Sequence, residues 1–225
     1  MERTSLHIEL QFEPASVPNP EIFLEGKLDG LKTDRPRKVQ YLDAYYDTAG
    51  LDLHGSGLLL RSRSRNEGID FLDFKGAGRY LGVLLSREFA SDRVLDEKDL
   101  RQKLQCSSPS APVQALYSAR SDLLGQPLHE AVRIKVNKTT VDVVEDGQNI
   151  PVAALSFHQY EYLTKSGSEG PFYVVELQPK GAAPGNAPST RLELMSHLAS
   201  ILEAAGYMRS PSTKYHRAPR SILSR

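Results

Sequence analysis

The chain has 225 residues, enough to bury one sizeable core, and its 40% hydrophobic and 25% charged content is ordinary for a soluble globular protein. Lys plus Arg total 28 and Asp plus Glu total 28, so the zero formal charge argues against a generalised nucleic-acid coat and confines any basic site to a local patch. Cys106 is alone, which excludes a disulfide framework and a thiolate metal cluster; no signal-peptide core and no apolar run near the ~20 residues of a membrane span is present. The expectation is a single domain over 1–225, cytoplasmic and away from membranes.

Thr4 to Phe12 alternates, with Leu6, Ile8, Leu10 and Phe12 on one face and His7, Glu9 and Gln11 on the other, as in a half-buried strand. Residues 21–31 suit a short helix stopped by Gly30. Val39 to Tyr46 reads as a strand, and Asp47 to Leu53 as a turn with a helical turn inside it. Leu95 to Leu104 suits an amphipathic helix, Ala115 to Leu124 a weak strand carrying Arg120. Ala131 to Val144 is strongly strand-like, and its alternation puts Arg133, Lys135, Asn137 and Thr139 on one face. Leu155 to Leu163 and Phe172 to Leu177 are further strands. Thr190 to Gly206 is the clearest helix, with an apolar stripe of Leu192, Met195, Leu198 and Leu202. Many strands joined by hairpins, with few helices, predict an antiparallel barrel or sandwich.

The most informative stretch is Tyr45 to Glu88. Arg61, Arg63 and Arg65 alternate with small polar residues and therefore share one strand face. After a turn at Asn66-Glu67-Gly68, Ile69 to Lys75 reads as the returning strand, with Asp73 and Lys75 on a common face. An exposed face would solve this self-repulsion with water and salt. A concave one needs a polyanionic ligand, and guanidinium forks suit phosphate oxygens. His7 is open to two readings, a metal ligand or general base and a spectator. Tyr45 and Tyr46 read as core and hydrogen-bonding residues.

The run YYDTAGLDLHGSGLLLRSRSR resembles the signature of the CYTH superfamily, the triphosphate tunnel metalloenzymes: a YYDT-like turn, a Leu-rich step, then Leu-Arg-x-Arg. FLDFKG is similar to its Lys-Gly strand, SREFA to its Arg/Glu strand and TKYHRA to its Ser-Lys-Tyr element, in an order that agrees over residues 5–218. The resemblance implies a mainly β fold, a closed antiparallel eight-stranded tunnel barrel with a few outer helices, acting on phosphoanhydrides with Mg²⁺ or Mn²⁺. It implies that Arg61, Arg63, Lys75, Arg120, Arg133, Lys135 and Lys214 bind a small phosphorylated substrate. Glu9, Glu88 and Glu176 would hold the metal, since hard cations choose oxygen ligands. Glu9, His7 and Lys75 would carry the catalysis.

Two departures stand out. Family members open with Glu-x-Glu-x-Lys, where this chain has His7, Glu9 and Gln11, and a later Glu-x-Glu is reduced to Glu176 with Gln178. Fewer carboxylates imply weaker metal binding. The leading expectation is a metal-dependent phosphohydrolase, with a diphosphate-releasing lyase or cyclase on a nucleotide or isoprenoid diphosphate, and a non-catalytic polyphosphate or nucleotide binder, as alternatives.

Overall fold

The computed structural model describes residues 5–18, 31–65, 68–80, 83–105, 109–145, 150–180, 188–210 and 212–223. Ten strands form one antiparallel sheet: β1 (Ser5–Pro14), β2 (Leu31–Thr33), β3 (Arg37–Asp47), β4 (Leu58–Arg65), β5 (Gly68–Tyr80), β6 (Val83–Arg93), β7 (His129–Glu145), β8 (Pro151–Thr164), β9 (Gly167–Pro179) and β10 (Tyr207–Arg209). The helices are α1 (Asp52–Ser56), α2 (Glu97–Lys103), α3 (Ala111–Ala119) and α4 (Pro188–Ala204), with a 3-10 turn at Ser121–Leu123.

Pairing runs β1-β6-β5-β4-β3-β7-β8-β9, and β1 also pairs with β9 through Leu10↔Leu177, Gln11↔Glu176 and Phe12↔Val175. The circuit of eight strands thus returns to its starting strand through this short stretch of pairing. Strands β2 and β10 attach outside that circuit, to β7 and β1.

In a ring, strand alternation separates an inner from an outer face. Two stretches of the outer face are apolar and covered by helices. Met195, Leu198, Ala199 and Leu202 of α4 pack on Phe12, Leu155, Phe157, Val175 and Leu177, as the Leu198 stripe predicts. Leu100 of α2, with Val113, Leu116 and Tyr117 of α3, packs on Leu60, Leu72 and Phe74. Each such side chain contributes on the order of 1.5–3 kcal/mol on burial. Gly206, at φ 86, ends α4 in a left-handed turn that other residues adopt only with strain.

The segment predicted as a weak strand at 115–124 is instead α3 and the 3-10 turn. Ser110 occupies the N-cap position, Pro112 lies in the first turn, and Val113, Leu116 and Tyr117 bury one helical stripe. The helix expected at 21–31 lies outside the described residues.

At one end the inside of the ring is also apolar: Tyr41, Tyr45, Leu59, Ile134, Val136, Tyr160 and Tyr162 meet Tyr215, Ala218, Ile222 and Leu223 of the C-terminal segment. That segment closes this end. Tyr215 stacks on Tyr45 with ring centroids 4.9 Å apart, and its hydroxyl donates to Asp47 at 2.6 Å. Asp47 also accepts from the backbone N–H groups of Thr48, Leu53 and His54, so it anchors α1 as well. The YYDT run is therefore structural: Tyr45 and Asp47 seat the chain's end, and Tyr46 bonds Ser62 at 3.3 Å. Among the described residues, no helix is long and apolar enough to cross a membrane.

Candidate functional site

Above this apolar floor lies a polar chamber of about 260 Å³, into which Glu9, Gln11, Tyr41, Arg61, Arg63, Lys75, Lys138, His158, Glu176, Gln178 and Lys214 project. Larger hollows on the molecule lie on the outer surface beside α2 and beside the β8–β9 turn, away from this cluster.

The basic wall comes from the β4–β5 hairpin. Arg61 and Arg63 point inward because Leu60 and Ser62 point out, and each guanidinium is gripped by a buried carboxylate. Asp73 takes Arg61 in a two-point fork at 3.1 and 2.6 Å, and Asp43 takes Arg63 likewise at 2.6 and 2.8 Å. Lys75 reaches Asp73 at 3.1 Å and Glu88 at 3.0 Å. Burial by itself would raise the Asp43 and Asp73 carboxyls, but Arg61 with Arg63, and Arg61 with Lys75, outweigh it and hold both below the ordinary value. The Arg63 guanidinium also lies 3.7 Å from the centre of the Tyr41 ring. Each fork fixes one edge of its guanidinium and leaves further N–H groups for a ligand, so Asp43 and Asp73 are positioning residues.

The opposite wall straddles the β1–β9 seam. Both strands carry Glu and Gln two residues apart, and because they run antiparallel each Glu meets a Gln. Gln11 Nε2 donates to Glu176 at 3.2 Å and to Glu9 at 3.4 Å, while Gln178 Nε2 donates to Glu9 at 2.8 Å. Arg217 donates to Gln11 Oε1 at 3.4 Å, which fixes the amide with its N–H₂ toward the carboxylates. Lys214 Nζ lies 3.0 Å from Glu176 Oε1, and His158 Nε2 lies 2.9 Å from Glu176 Oε2. Burial raises the Glu9 carboxyl, and the neighbouring Glu176 adds to the effect. For Glu176 burial acts the same way, but the close contact with His158 and the Lys214 and Lys138 ammonium groups more than offset it and hold it well below the ordinary value. Burial lowers Lys138, and it lowers His158 to about 4 against the pull of Glu176, leaving that imidazole neutral at pH 7.

Of the predicted residues, Glu9, Arg61, Arg63, Lys75, Glu176 and Lys214 converge on the chamber. The side chain of His7 lies outside the described residues. Three predicted cations stand elsewhere. Arg120 follows α3 and pairs with Asp122 at 2.6 Å, Arg133 pairs with Glu130 at 2.5 Å, and Lys135 is exposed. On β7 the even-numbered side chains point inward, so the inward cation is Lys138. Choosing the odd face is a one-residue parity error, which sends every side chain to the wrong side. Glu88 faces Lys75 near the rim. It pairs with Ser5, four residues along β1 from Glu9, roughly 13 Å at the rise of a strand, and does not join Glu9 and Glu176.

The expected Mg²⁺ or Mn²⁺ therefore does not fit this donor set. A hard cation needs several oxygens with free lone pairs. Here both Glu9 oxygens and Glu176 Oε1 already accept from amide and ammonium groups, and those donors line the same chamber. Among the described residues, no three His, Cys, Asp or Glu side chains gather as a metal site.

Nothing in the sequence pattern singles out His158, and Asp43 carries no motif; each is identified only by the partner that strand pairing sets beside it, Glu176 and Arg63. Lys138 had a signal. Apolar residues on β7 hold even positions at Val132, Ile134 and Val136, then odd ones at Val141 and Val143. That switch marks where the inner face turns polar and the outer face turns apolar beneath α4.

No family model matches the sequence, and no curated protein matches it. Solved structures do. A provisionally assigned adenylate cyclase from Bacillus halodurans is 14% identical, covering 95% of this chain and 96% of its own, with a TM-score of 0.54. HpAC1 from Hippeastrum, reported with a dominant triphosphatase activity, is 18% identical over 93% of each chain at a TM-score of 0.52. The PH1819 protein of Pyrococcus horikoshii OT3 is 18% identical, covering 92% and 94%, at 0.51. The antiparallel ring, its outer helices and these neighbours together identify the chain's fold as that of the CYTH-type tunnel proteins.

Proposed function

We propose that the chamber is the active site of a phosphohydrolase that takes the phosphate chain of a small phosphorylated molecule and cleaves a phosphoanhydride within it. One observation carries this reading: Arg61, Arg63, Lys75, Lys138 and Lys214, from β4, β5, β7 and the C-terminal segment, turn their cationic heads into one chamber. Beyond their carboxylate partners these heads turn further N–H donors into the chamber, and a phosphate chain accepts from many such donors at once. The volume of about 260 Å³ is below the roughly 300–1,000 Å³ of sites that enclose drug-sized ligands, so a di- or triphosphate group enters and an organic portion stays at the mouth. The zero net charge of the chain favours a small molecule over a nucleic-acid polymer, and the single cysteine favours the cytoplasm.

In this reading Arg61, Arg63 and Lys75 neutralise the charge that develops on the non-bridging and leaving oxygens. Glu9 orients the attacking water. Its carboxyl is raised by burial and by Glu176, the direction that suits a base working near neutral pH. The water oxygen bonds to phosphorus, the bridging P–O bond breaks toward the leaving phosphate, and the water proton passes to Glu9. The test is a screen of tripolyphosphate, pyrophosphate and nucleoside triphosphates, read by phosphate release and by mass spectrometry. Orthophosphate from at least one substrate, lost in Arg63→Ala, is expected. A cyclic product with released diphosphate would replace hydrolysis by cyclisation, and tight binding without turnover would leave a binding protein.

A further inference from the structure

We propose that the chamber binds a polyphosphate without any divalent cation, the side-chain amides of Gln11 and Gln178 and the ammonium of Lys214 standing where a metal ion would otherwise be required. This rests on the phosphate-binding reading above and goes beyond it.

The argument starts from the register of the seam. Gln11 pairs with Glu176, and continuing that register sets Glu9 beside Gln178. Were all four positions Glu, four carboxylates would crowd one patch of sheet, and like charges opposite each other are destabilising. Multivalent cations are the usual remedy for such a patch. Here the two inward side-chain pairs across the seam are instead joined by an amide N–H on a carboxylate, at 3.2 Å for Gln11 on Glu176 and 2.8 Å for Gln178 on Glu9. Arg217 on Gln11 Oε1 keeps that amide from turning its own oxygen inward to serve as a ligand. Of the Glu176 oxygens, Oε1 then accepts from Lys214 at 3.0 Å, and Oε2 lies 2.9 Å from His158 Nε2.

The charges balance without an ion. Arg61 and Arg63 are matched by Asp73 and Asp43, Lys75 by Glu88, and Lys214 by Glu176. Lys138 remains opposite Glu9, whose carboxyl is the one pushed toward its neutral form. An incoming phosphate chain thus meets guanidinium and ammonium N–H groups against a wall whose carboxylates are already satisfied. It does not need to bring a metal to mask them.

The experiment has two arms on the full chain. In the first, Mn²⁺ alone is titrated and the free-ion signal is read by electron paramagnetic resonance. The wild type is expected to leave that signal undiminished, whereas Gln11→Glu with Gln178→Glu, shown folded by circular dichroism, is expected to sequester the ion. Sequestration by the wild type below about 100 μM would overturn the proposal, as would a folded double variant that takes up none. In the second, tripolyphosphate is titrated calorimetrically with EDTA and again with Mg²⁺. Affinities equal within about twofold are expected, and a gain of about tenfold or more on adding Mg²⁺ rejects the inference while sparing the phosphate-binding reading. No heat in either buffer rejects that reading itself, and this proposal with it.

Discussion

Gln11 faces Glu176 across the seam between β1 and β9, its amide nitrogen 3.2 Å from the carboxylate, and two residues along the seam the roles reverse, with Glu9 accepting from Gln178 at 2.8 Å. This reciprocal arrangement lets two acids lie inside the ring beside a basic wall. It also divides the chamber into a seam held by amides and a hairpin held by ion pairs, and the two halves answer differently to substitution.

The basic hairpin should govern phosphate affinity, and the outer cations should not. Arg63→Ala removes charge-assisted donors worth about 1.5–3 kcal/mol, so tripolyphosphate binding should weaken about 10- to 100-fold. Arg133→Ala and Lys135→Ala, on the outer face of β7, should leave it within about twofold. Calorimetric titration checks all three, and equal losses in the three variants would put the ligand outside the ring.

Asp73→Asn separates stability from binding. Asp73 is fully buried and serves both Arg61 and Lys75, so its loss leaves Arg61 with the 3.5 Å contact to Asp43 and Lys75 with Glu88, and should cost about 3–5 kcal/mol in urea denaturation. Added pyrophosphate then supplies the missing counter-charge, so the rise in melting temperature on adding it should exceed that of the wild type. A smaller rise would show that Asp73 does not compete with the ligand.

His158 gives the pH dependence a definite sign. Its folded value of about 4 lies below the ordinary 6.5, so between those values the unfolded chain binds a proton that the folded one refuses. Its contribution is fully present above pH 6.5 and is lost as the pH falls toward 4, by up to about 3 kcal/mol at 1.36 kcal/mol per unit. Urea midpoints at pH 7 and pH 5 should therefore differ more for the wild type than for His158→Gln. Identical slopes in the two proteins would contradict it.

Tyr215→Phe keeps the stack on Tyr45 and removes one donor from the buried Asp47, at a cost of about 1–3 kcal/mol. Asp47→Ala should cost more, because it also strips the acceptor from three backbone N–H groups at α1. Thermal denaturation ranks the two variants, and the reverse order would mean that Asp47 does not organise this end.

Much of this was legible in the chain itself. Period-two alternation placed β1, the β4–β5 hairpin, β7, β8 and β9, and the parity of Arg61, Arg63 and Lys75 was right because Leu60, Leu72 and Phe74 on the opposite face are apolar. Parity failed on β7, where the apolar face changes sides midway along the strand. A rule that puts polar residues inside the tunnel cannot see that one end of this ring is filled by tyrosines. The carboxylates were found singly, but which of them meet depends on strand offset. Glu88 falls away from Glu9 because Ser5 is its partner. Asp43 and His158 belong to no sequence motif, and each is picked out only by the register that sets it beside Arg63 of β4 or Glu176 of β9.

The ion pairs of the basic wall and the contacts of the seam also differ in how far apart their members lie. Arg61 with Asp73, and Arg63 with Asp43, unite residues 12 and 20 positions apart, whereas Gln178 with Glu9 spans 169 and Lys214 with Glu176 draws on the C-terminal segment. Short loops close sooner than long ones. A nascent chain would therefore zip its arginines onto their own aspartates early, long before strand β9 arrives. The basic wall is thus charge-matched among neighbouring strands, and the pocket becomes a pocket only when β1 and β9 finally meet.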